Sequence, residues 1–276
     1  MFNRKSKYTR LQDFIKAENK LFFEQLHSVY PSRDEEIGPY NYYQFMKSHS
    51  IKSYSNLVSN LLDSLPEDEA MKRAIGAISD SEFISSGDLQ VQVLKVFGLK
   101  NHMTIYDLGC GSGRTAFALE RLGWEGIYFG HDIEPRLVAY LNKNSQKYKA
   151  CVNEELAILA GNNSVDIIFH WSVFTHLLLE EVYIYMKDIF RALKPGGLHI
   201  FSFLDLNEEK HFNDVFLSRI EAFTQKYGLE HNDLFLSKEQ IKVMATKIGF
   251  NEINFESGED GSIHSPFWQS LAIMKK

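Results

Sequence analysis

The sequence has few cysteines and no long apolar run, and each absence excludes a class of protein. Cys110 and Cys151 are the two cysteines in 276 residues, so no disulfide framework or thiolate metal cage follows from their spacing. No stretch approaches the roughly 18 apolar residues of a membrane-spanning helix. The basic start MFNRKSKYTR is followed by charged residues, whereas a signal peptide needs an uninterrupted apolar stretch. We therefore expect a cytoplasmic protein.

Positive charge is also scarce relative to negative charge. The chain has 30 lysines and arginines against 36 aspartates and glutamates, which gives a formal net charge of −6. Such a chain lacks the global positive field that attracts proteins to nucleic acid or to anionic membranes. The expected partner is a small molecule or a glycan, with no nucleic acid and no membrane, and the oligomeric state stays open.

From Met103 onward, short β-type runs alternate with helical patterns, which indicates a parallel sheet covered by helices. The predicted strands are MTIYDL, GIYFGHD, KACVN, VDIIFHW, LHIFSFL, FNEINFE and FWQSLAIM. The last two flank the polar turn SGEDGSIHSP and should form a hairpin. The predicted fold class is α/β, with a doubly wound, mostly parallel seven-stranded sheet, a C-terminal antiparallel hairpin and an N-terminal helical appendage.

The helices of this core carry start signals, stop signals and an apolar stripe. Pro135 occupies a plausible first helical position. SKEQ, from Ser237, is typical of a capping box, and the helix it begins should end at Gly249. The clearest apolar stripe, at spacings of three and four residues, consists of Leu178, Val182, Tyr185, Met186, Ile189 and Leu193.

The chain is predicted to consist of two parts. Residues 1–100 show helical patterns without strand alternation, as in LQDFIKAENKLFFEQL, and form an appendage that we expect to cover the substrate. Residues 101–276 form the α/β domain, with an insertion at about 205–236. Because specificity often depends on loops that a rigid scaffold positions, both additions are candidates for shaping an acceptor pocket.

The stretch YDLGCGSGR, residues 106–114, lies between a predicted strand and a predicted helix. Its glycines would let the backbone turn sharply and approach a ligand closely. The spacing is G-x-G-x-G with an acidic residue two places before the first glycine, whereas a dinucleotide fingerprint reads G-x-G-x-x-G. A strand-to-helix turn without a ligand is the alternative interpretation.

This stretch resembles the first motif of class I S-adenosylmethionine-dependent methyltransferases, which have a Rossmann-like fold. GHDIEP, VDIIFHWSVFTHL and LKPGG resemble later segments of the same family. The resemblance implies S-adenosylmethionine as cofactor, with Asp132 on the ribose hydroxyls and Glu154 near the adenine. The implied cofactor-binding residues are Asp107, Gly109, Cys110, Gly111, Gly113, Asp132, Ile133, Glu154 and Trp171.

Methyl transfer needs an aligned nucleophile and, for some acceptors, a base that removes its proton. His170 and His176 flank the predicted edge of the cleft and are the candidate bases, although a histidine in this region is more often structural. No H-E-x-x-H motif or paired cysteines are present, so we predict no metal.

The sequence therefore predicts a methyltransferase that acts on a small-molecule or sugar-containing acceptor, at oxygen rather than nitrogen. The main alternative is a non-catalytic binding or regulatory protein that keeps the fold. A nicotinamide-dependent oxidoreductase fits the glycine spacing poorly. Methylation of nucleic acid is disfavoured by the acidic charge balance.

Overall fold

The computed structural model describes residues 39–225, 233–258 and 269–276. The chain divides into two compact units, Met1–His49 and Ser50–Lys276. The predicted helix in LQDFIKAENKLFFEQL and most of the turn SGEDGSIHSP lie outside the described residues. Residues 50–100, which we assigned to the appendage, belong to the same compact unit as the sheet.

Helices and strands alternate through the second unit. The α-helices of the described residues are α1 Pro39–Ser64, α2 Glu67–Arg73, α3 Asp80–Val96, α4 Arg114–Arg121, α5 Pro135–Asn144, α6 Leu179–Ala192, α7 Leu217–Thr224 and α8 Lys238–Ile248. The strands are β1 Thr104–Leu108, β2 Ile127–Asp132, β3 Lys149–Val152, β4 Val165–His170, β5 Leu193–Phe203, β6 Glu252–Glu256 and β7 Ser270–Lys275. A 3₁₀ turn at Phe174–His176 and a π-helical segment at His211–Phe216 complete the elements. None of the helices in the described part of the chain has the length and apolar composition needed to cross a membrane.

The seven strands form one sheet in the order β3-β2-β1-β4-β5-β7-β6. The pairs among β1 to β5 are parallel, while β7 lies antiparallel between β5 and β6. This confirms the predicted fold class, including the C-terminal hairpin. Because the carboxyl ends of parallel strands share one edge, the segments that follow β1 to β4 meet there.

Local sequence signals fix several of these boundaries. The Ser237 hydroxyl accepts the Gln240 N–H, and the Gln240 side chain accepts the Ser237 N–H, as a capping box requires. Gly249 ends α8 with a φ of +120°. One boundary differs from the prediction, because β5 begins at Leu193 and not at residue 198. Leu193 already pairs with Val165 across an irregularity in the β4–β5 register.

Two hydrophobic clusters cover the two faces of the sheet. One face buries the predicted stripe of α6, including Val182, Met186 and Ile189, against β4 and β5. The other face buries α3 and α4 against β1 and β4, through residues such as Leu94 and Leu119. The central strand β4 reads as a nearly continuous apolar run because both of its faces are covered.

A third, smaller cluster joins residues 51–75 to α5. It contains Val58 of α1, Met71 of α2 and Leu137 of α5, all at most 1% exposed. Arg136 of α5 donates to the Ser59 hydroxyl and to the Ser55 carbonyl, at 2.6 Å each. This part of α1 is therefore held against the start of α5, next to the end of β2.

A pair of buried imidazoles lies inside the α6 side of the sheet. His170 of β4 and His199 of β5 are both fully buried, and their Nε2 atoms lie 3.0 Å apart. Their rings stack with Phe201. Burial lowers the pKa of His199 to about 3, and burial together with the neighbouring His199 holds the pKa of His170 well below its usual value. Both rings are therefore neutral in the folded protein at neutral pH.

This pair should make the folded state acid-sensitive. The unfolded chain binds protons on these rings below pH about 6.5, while the folded chain does not, so stability is full above that pH and is lost as the pH falls. In the double variant His170→Phe/His199→Phe, we expect the free energy of unfolding to fall less steeply between pH 6 and pH 4. The slope should be shallower by up to about 1.4 kcal/mol per pH unit for each imidazole removed. Urea denaturation at several pH values measures this slope.

The matched control is His102→Gln, because His102 is exposed. Its pH slope should equal that of the wild type. A double variant with the wild-type slope would show that the two buried rings are not the source of the acid sensitivity.

Candidate cofactor site

The glycine-rich loop follows β1 at the carboxyl edge of the sheet. Gly109, Gly111 and Gly113 have φ values of +66°, +55° and +96°, a region that side chains rarely adopt. A Cβ on Gly109 would lie 2.4 Å from Val173 Cγ2, and a Cβ on Gly111 would lie 2.7 Å from Ile75 Cγ2. The loop therefore needs glycine both for its backbone conformation and for the segments that pack on it.

Asp132, the last residue of β2, is joined directly to this loop. Its Oδ2 accepts the Gly111 N–H at 2.9 Å, and its Oδ1 accepts the Glu134 N–H at 2.9 Å. The residue is 7% exposed, and burial raises the pKa of its carboxyl group while the backbone hydrogen bonds lower it. Ile133, between these acidic residues, is half-buried.

Asp107 and Cys110 support the loop from within the protein. Asp107 is buried in β1 and accepts the Tyr128 hydroxyl at 2.7 Å. Burial raises the pKa of Asp107 to about 7, and the nearby charge of Asp132 adds to this increase. Cys110 is buried, its N–H donates to the His131 carbonyl at 3.0 Å, and burial raises the pKa of its thiol. Its side chain is therefore a packed, unreactive thiol.

The segment after β4 forms the opposite side of the loop. Ser172 has a φ of +56°, and its N–H donates to the Ser202 hydroxyl at 2.8 Å. Gln269 bonds both serine hydroxyls, which ties the ends of β4 and β5 to the start of β7. Trp171 is half-buried and packs against Phe169, so it lies at the same edge as the loop. This network holds Val173 against Gly109.

The two candidate bases lie in different environments. His170 is fully buried between Phe174 and Phe201, and the expectation that it borders the cleft is wrong, because a side chain without exposure cannot meet an acceptor. Because successive side chains of β4 point to opposite faces of the sheet, His170 points into the core on the α6 side. His176 is exposed in the 3₁₀ turn that follows the same strand. Its role as a base stays a prediction.

The segment after β3 provides the remaining predicted residue. Asn153 is buried, and its N–H donates to the Asp132 carbonyl at 3.0 Å. Glu154, next along the chain, is exposed at the same edge of the sheet. Its contact with an adenine stays a prediction.

Among the residues that the structure describes, no group of three or more histidines, cysteines and acidic residues is arranged to hold a metal ion.

Three residues near Asp132 were not singled out by the sequence. Arg136 forms an ion pair with the buried Glu134, with Nε and Oε1 2.6 Å apart. The Tyr54 hydroxyl donates to the Ala74 carbonyl, and burial together with the charges of Asp132 and Glu134 raises its pKa. Arg114 donates to the Ile75 carbonyl at 2.7 Å. Arg114 is the last residue of the motif YDLGCGSGR, whereas no local sequence pattern indicates that Tyr54 interacts with Asp132.

These residues fit an adenosyl ligand with a sulfonium charge. An ionised carboxylate offers about four lone-pair sites, and the Gly111 and Glu134 N–H groups take one on each Asp132 oxygen, with the Ile133 N–H close by, so acceptor capacity remains for a ribose hydroxyl. Asp132 makes this end of the site acidic, which favours a cation and disfavours a pyrophosphate, while the charge of Glu134 is compensated by Arg136. The hydroxyl of Ser112, in the same loop, is buried without a hydrogen-bond partner. A polar ligand group would satisfy it.

The glycine loop gives a direct test of this site. The variant Gly111→Ala should weaken binding of S-adenosylhomocysteine by about tenfold or more, because the new Cβ meets Ile75 and the left-handed backbone becomes strained by about 1 kcal/mol. Titration calorimetry measures the affinity. The control is Gly123→Ala, since Gly123 has a φ of +70° with nothing within 4 Å of a new Cβ. It should lose stability but not affinity, and equal affinity losses in both variants would contradict the assignment.

Comparison with known proteins also indicates a methyltransferase. Residues 106–201 match a family model described as a methyltransferase domain. O-methyltransferase 3 of Dictyostelium discoideum is 26% identical over 105 residues, covering 35% of this chain and 24% of that protein. Carboxy-S-adenosyl-L-methionine synthase of Desulfotalea psychrophila is 25% identical over 164 residues, covering 56% of this chain and 65% of that protein.

A similar fold occurs in magnesium protoporphyrin IX methyltransferase of Synechocystis PCC 6803, solved with bound S-adenosylhomocysteine. The TM-score is 0.51 at 16% identity, covering 73% of this chain and 89% of that one. The chain spans less than two thirds of the length of the curated relatives that it matches first. From the matched segment and the fold around it, this chain carries a class I S-adenosylmethionine-dependent methyltransferase domain.

Proposed function

We propose that this protein transfers the methyl group of S-adenosylmethionine to an oxygen atom of a small-molecule or sugar-containing acceptor. The observation that carries the proposal is the contact between the glycine loop and Asp132. It places a buried carboxylate with free acceptor capacity beside a left-handed loop backbone that side chains rarely adopt. We propose cytoplasmic activity, as expected from the sequence.

The reaction is an in-line displacement at the methyl carbon. When bound, S-adenosylmethionine would supply an electrophilic methyl group to the acceptor hydroxyl, which would lose its proton, leaving S-adenosylhomocysteine as the second product. The chain would supply position and electrostatics: Asp132 would hold the ribose, and its charge would favour the sulfonium cation. Val173, held by the Ser172 network, limits the movement of Gly109.

The second half of the proposed site holds the acceptor. We propose that it is bordered by the segment after β4, including the exposed His176, and by the insertion at 205–236. His176 would take the acceptor proton where a base is needed. The names of similar proteins include an O-methyltransferase, and the acidic net charge of −6 disfavours nucleic acid. Residues 1–100 are proposed to contribute a cover over the acceptor.

Ligand titration tests the proposal. By calorimetry, the wild type should bind S-adenosylmethionine and S-adenosylhomocysteine but not NAD. Asp132→Ala should weaken both adenosyl ligands by about 100-fold or more, because two hydrogen bonds to a charged group are lost. A transfer assay with labelled methyl groups against candidate alcohols, sugars and amines would then identify the acceptor.

The matched control is Glu125→Ala, which removes one exposed carboxylate before β2, at the other end of that strand. It should leave both affinities unchanged. Binding of NAD alone would refute the methyltransferase proposal. Adenosyl binding without transfer to any acceptor would favour the non-catalytic alternative.

A further inference from the structure

The carboxylate that is proposed to hold the ribose is covered in this structure. Asp132 is only 7% exposed, and Glu134, two residues further along, is 2% exposed. Burial raises the pKa of Tyr54 and the charges of Asp132 and Glu134 raise it further, so its ring lies close to both carboxylates. Ile75 packs on the neighbouring loop, because a Cβ on Gly111 would lie 2.7 Å from its Cγ2. A ribose can therefore reach Asp132 only after part of this cover has moved aside.

Tyr54 and Ile75, the two covering residues, belong to one peripheral segment, residues 51–75. The hydrogen bond from the Tyr54 hydroxyl to the Ala74 carbonyl, at 3.0 Å, joins the two ends of this segment. Its apolar side chains pack on α5 in a cluster of their own, separate from the two clusters that cover the faces of the sheet. The segment can therefore shift without breaking the cores that hold the strands in place.

A single side chain of α5 fastens this segment. Arg136 Nη1 donates to the Ser59 hydroxyl at 2.6 Å, and Arg136 Nη2 donates to the Ser55 carbonyl at 2.6 Å and to the Ser55 hydroxyl at 2.9 Å. Because Ser55 and Ser59 are four residues apart, they lie on the same face of α1. The guanidinium also pairs with Glu134, with Nε and Oε1 2.6 Å apart. Arg136 is therefore a clasp between α1 and Glu134.

This clasp is connected to the carboxylate that it covers. The Glu134 N–H donates to Asp132 Oδ1 at 2.9 Å, so Glu134 contacts Asp132 through its backbone and contacts Arg136 through its side chain. Hydrogen bonds from a charged donor are stronger than those between neutral groups, and three of them join this guanidinium to α1. Resting on the proposed function, we propose that residues 51–75 form a gate over the ribose end of the cofactor site, and that the Arg136 clasp must open before the cofactor enters.

The double variant Ser55→Ala/Ser59→Ala loosens the clasp without touching the ligand site. It removes two of the hydrogen bonds from Arg136 to α1 and keeps the ion pair with Glu134. We expect S-adenosylhomocysteine to associate about tenfold faster than with the wild type, because the gate opens more often once these charged hydrogen bonds are lost. Surface plasmon resonance measures the association rate constant. Damage to the fold alone would weaken binding and would not speed up entry.

Ser64→Ala is the matched control, because Ser64 lies on the same helix and its hydroxyl donates to the Asn60 carbonyl within that helix. Its association rate should equal that of the wild type. Arg136→Lys is a second test, since a lysine keeps the positive charge beside Glu134 but lacks the planar fork that reaches both serines. It should also speed up association, which keeps the test informative if the double variant does not fold.

The outcomes separate this inference from the proposed function. A wild type that binds neither S-adenosylmethionine nor S-adenosylhomocysteine would refute the proposed function itself. A wild type that binds S-adenosylhomocysteine, with folded clasp variants that associate at the wild-type rate or more slowly, would refute the gate alone. Thermal melting of each variant establishes that it is folded.

Discussion

The hydrogen bond from the Gly111 N–H to the Asp132 carboxylate joins the ends of β1 and β2 at the carboxyl edge of the sheet. It requires a left-handed backbone at Gly111, where a Cβ would meet Ile75. Its acceptor is the Asp132 carboxylate, in a residue that is only 7% exposed to solvent. The second oxygen of Asp132 accepts the N–H of Glu134 near the start of α5, so the orientation of the carboxylate is fixed from both sides.

The rest of the site is arranged around this contact. Glu134 binds Arg136, and Arg136 holds Ser55 and Ser59 of α1, which places this part of α1 beside Glu134. On the other side, the hydrogen bonds of Ser172 hold Val173 against Gly109. Support of this kind preorganises a binding site, because ordering flexible groups when a ligand binds would cost part of the binding free energy.

The sequence predicted the seven-stranded sheet, its mostly parallel arrangement and the glycine loop because these depend on local patterns. Apolar runs such as VDIIFHW identify strands buried on both faces, and the capping box at Ser237 fixes a helix start. The position of Asp132 at the end of a strand was also predictable, whereas its contact with a ribose stays a prediction. These features need no knowledge of distant contacts.

The errors and omissions concern contacts between distant segments. His170 was expected at the cleft because it ends β4, but strand alternation turns it into the core against His199, 29 residues away. The contacts of Arg136 with Ser55 and Ser59 span about 80 residues and leave no periodic signal.

The most direct measurement is a crystal structure of the protein with S-adenosylhomocysteine. The account predicts both ribose hydroxyls within about 3.2 Å of the Asp132 carboxylate oxygens, with the Gly111 to Asp132 hydrogen bond kept. A ligand bound elsewhere, or a ribose with no contact to Asp132, would contradict it.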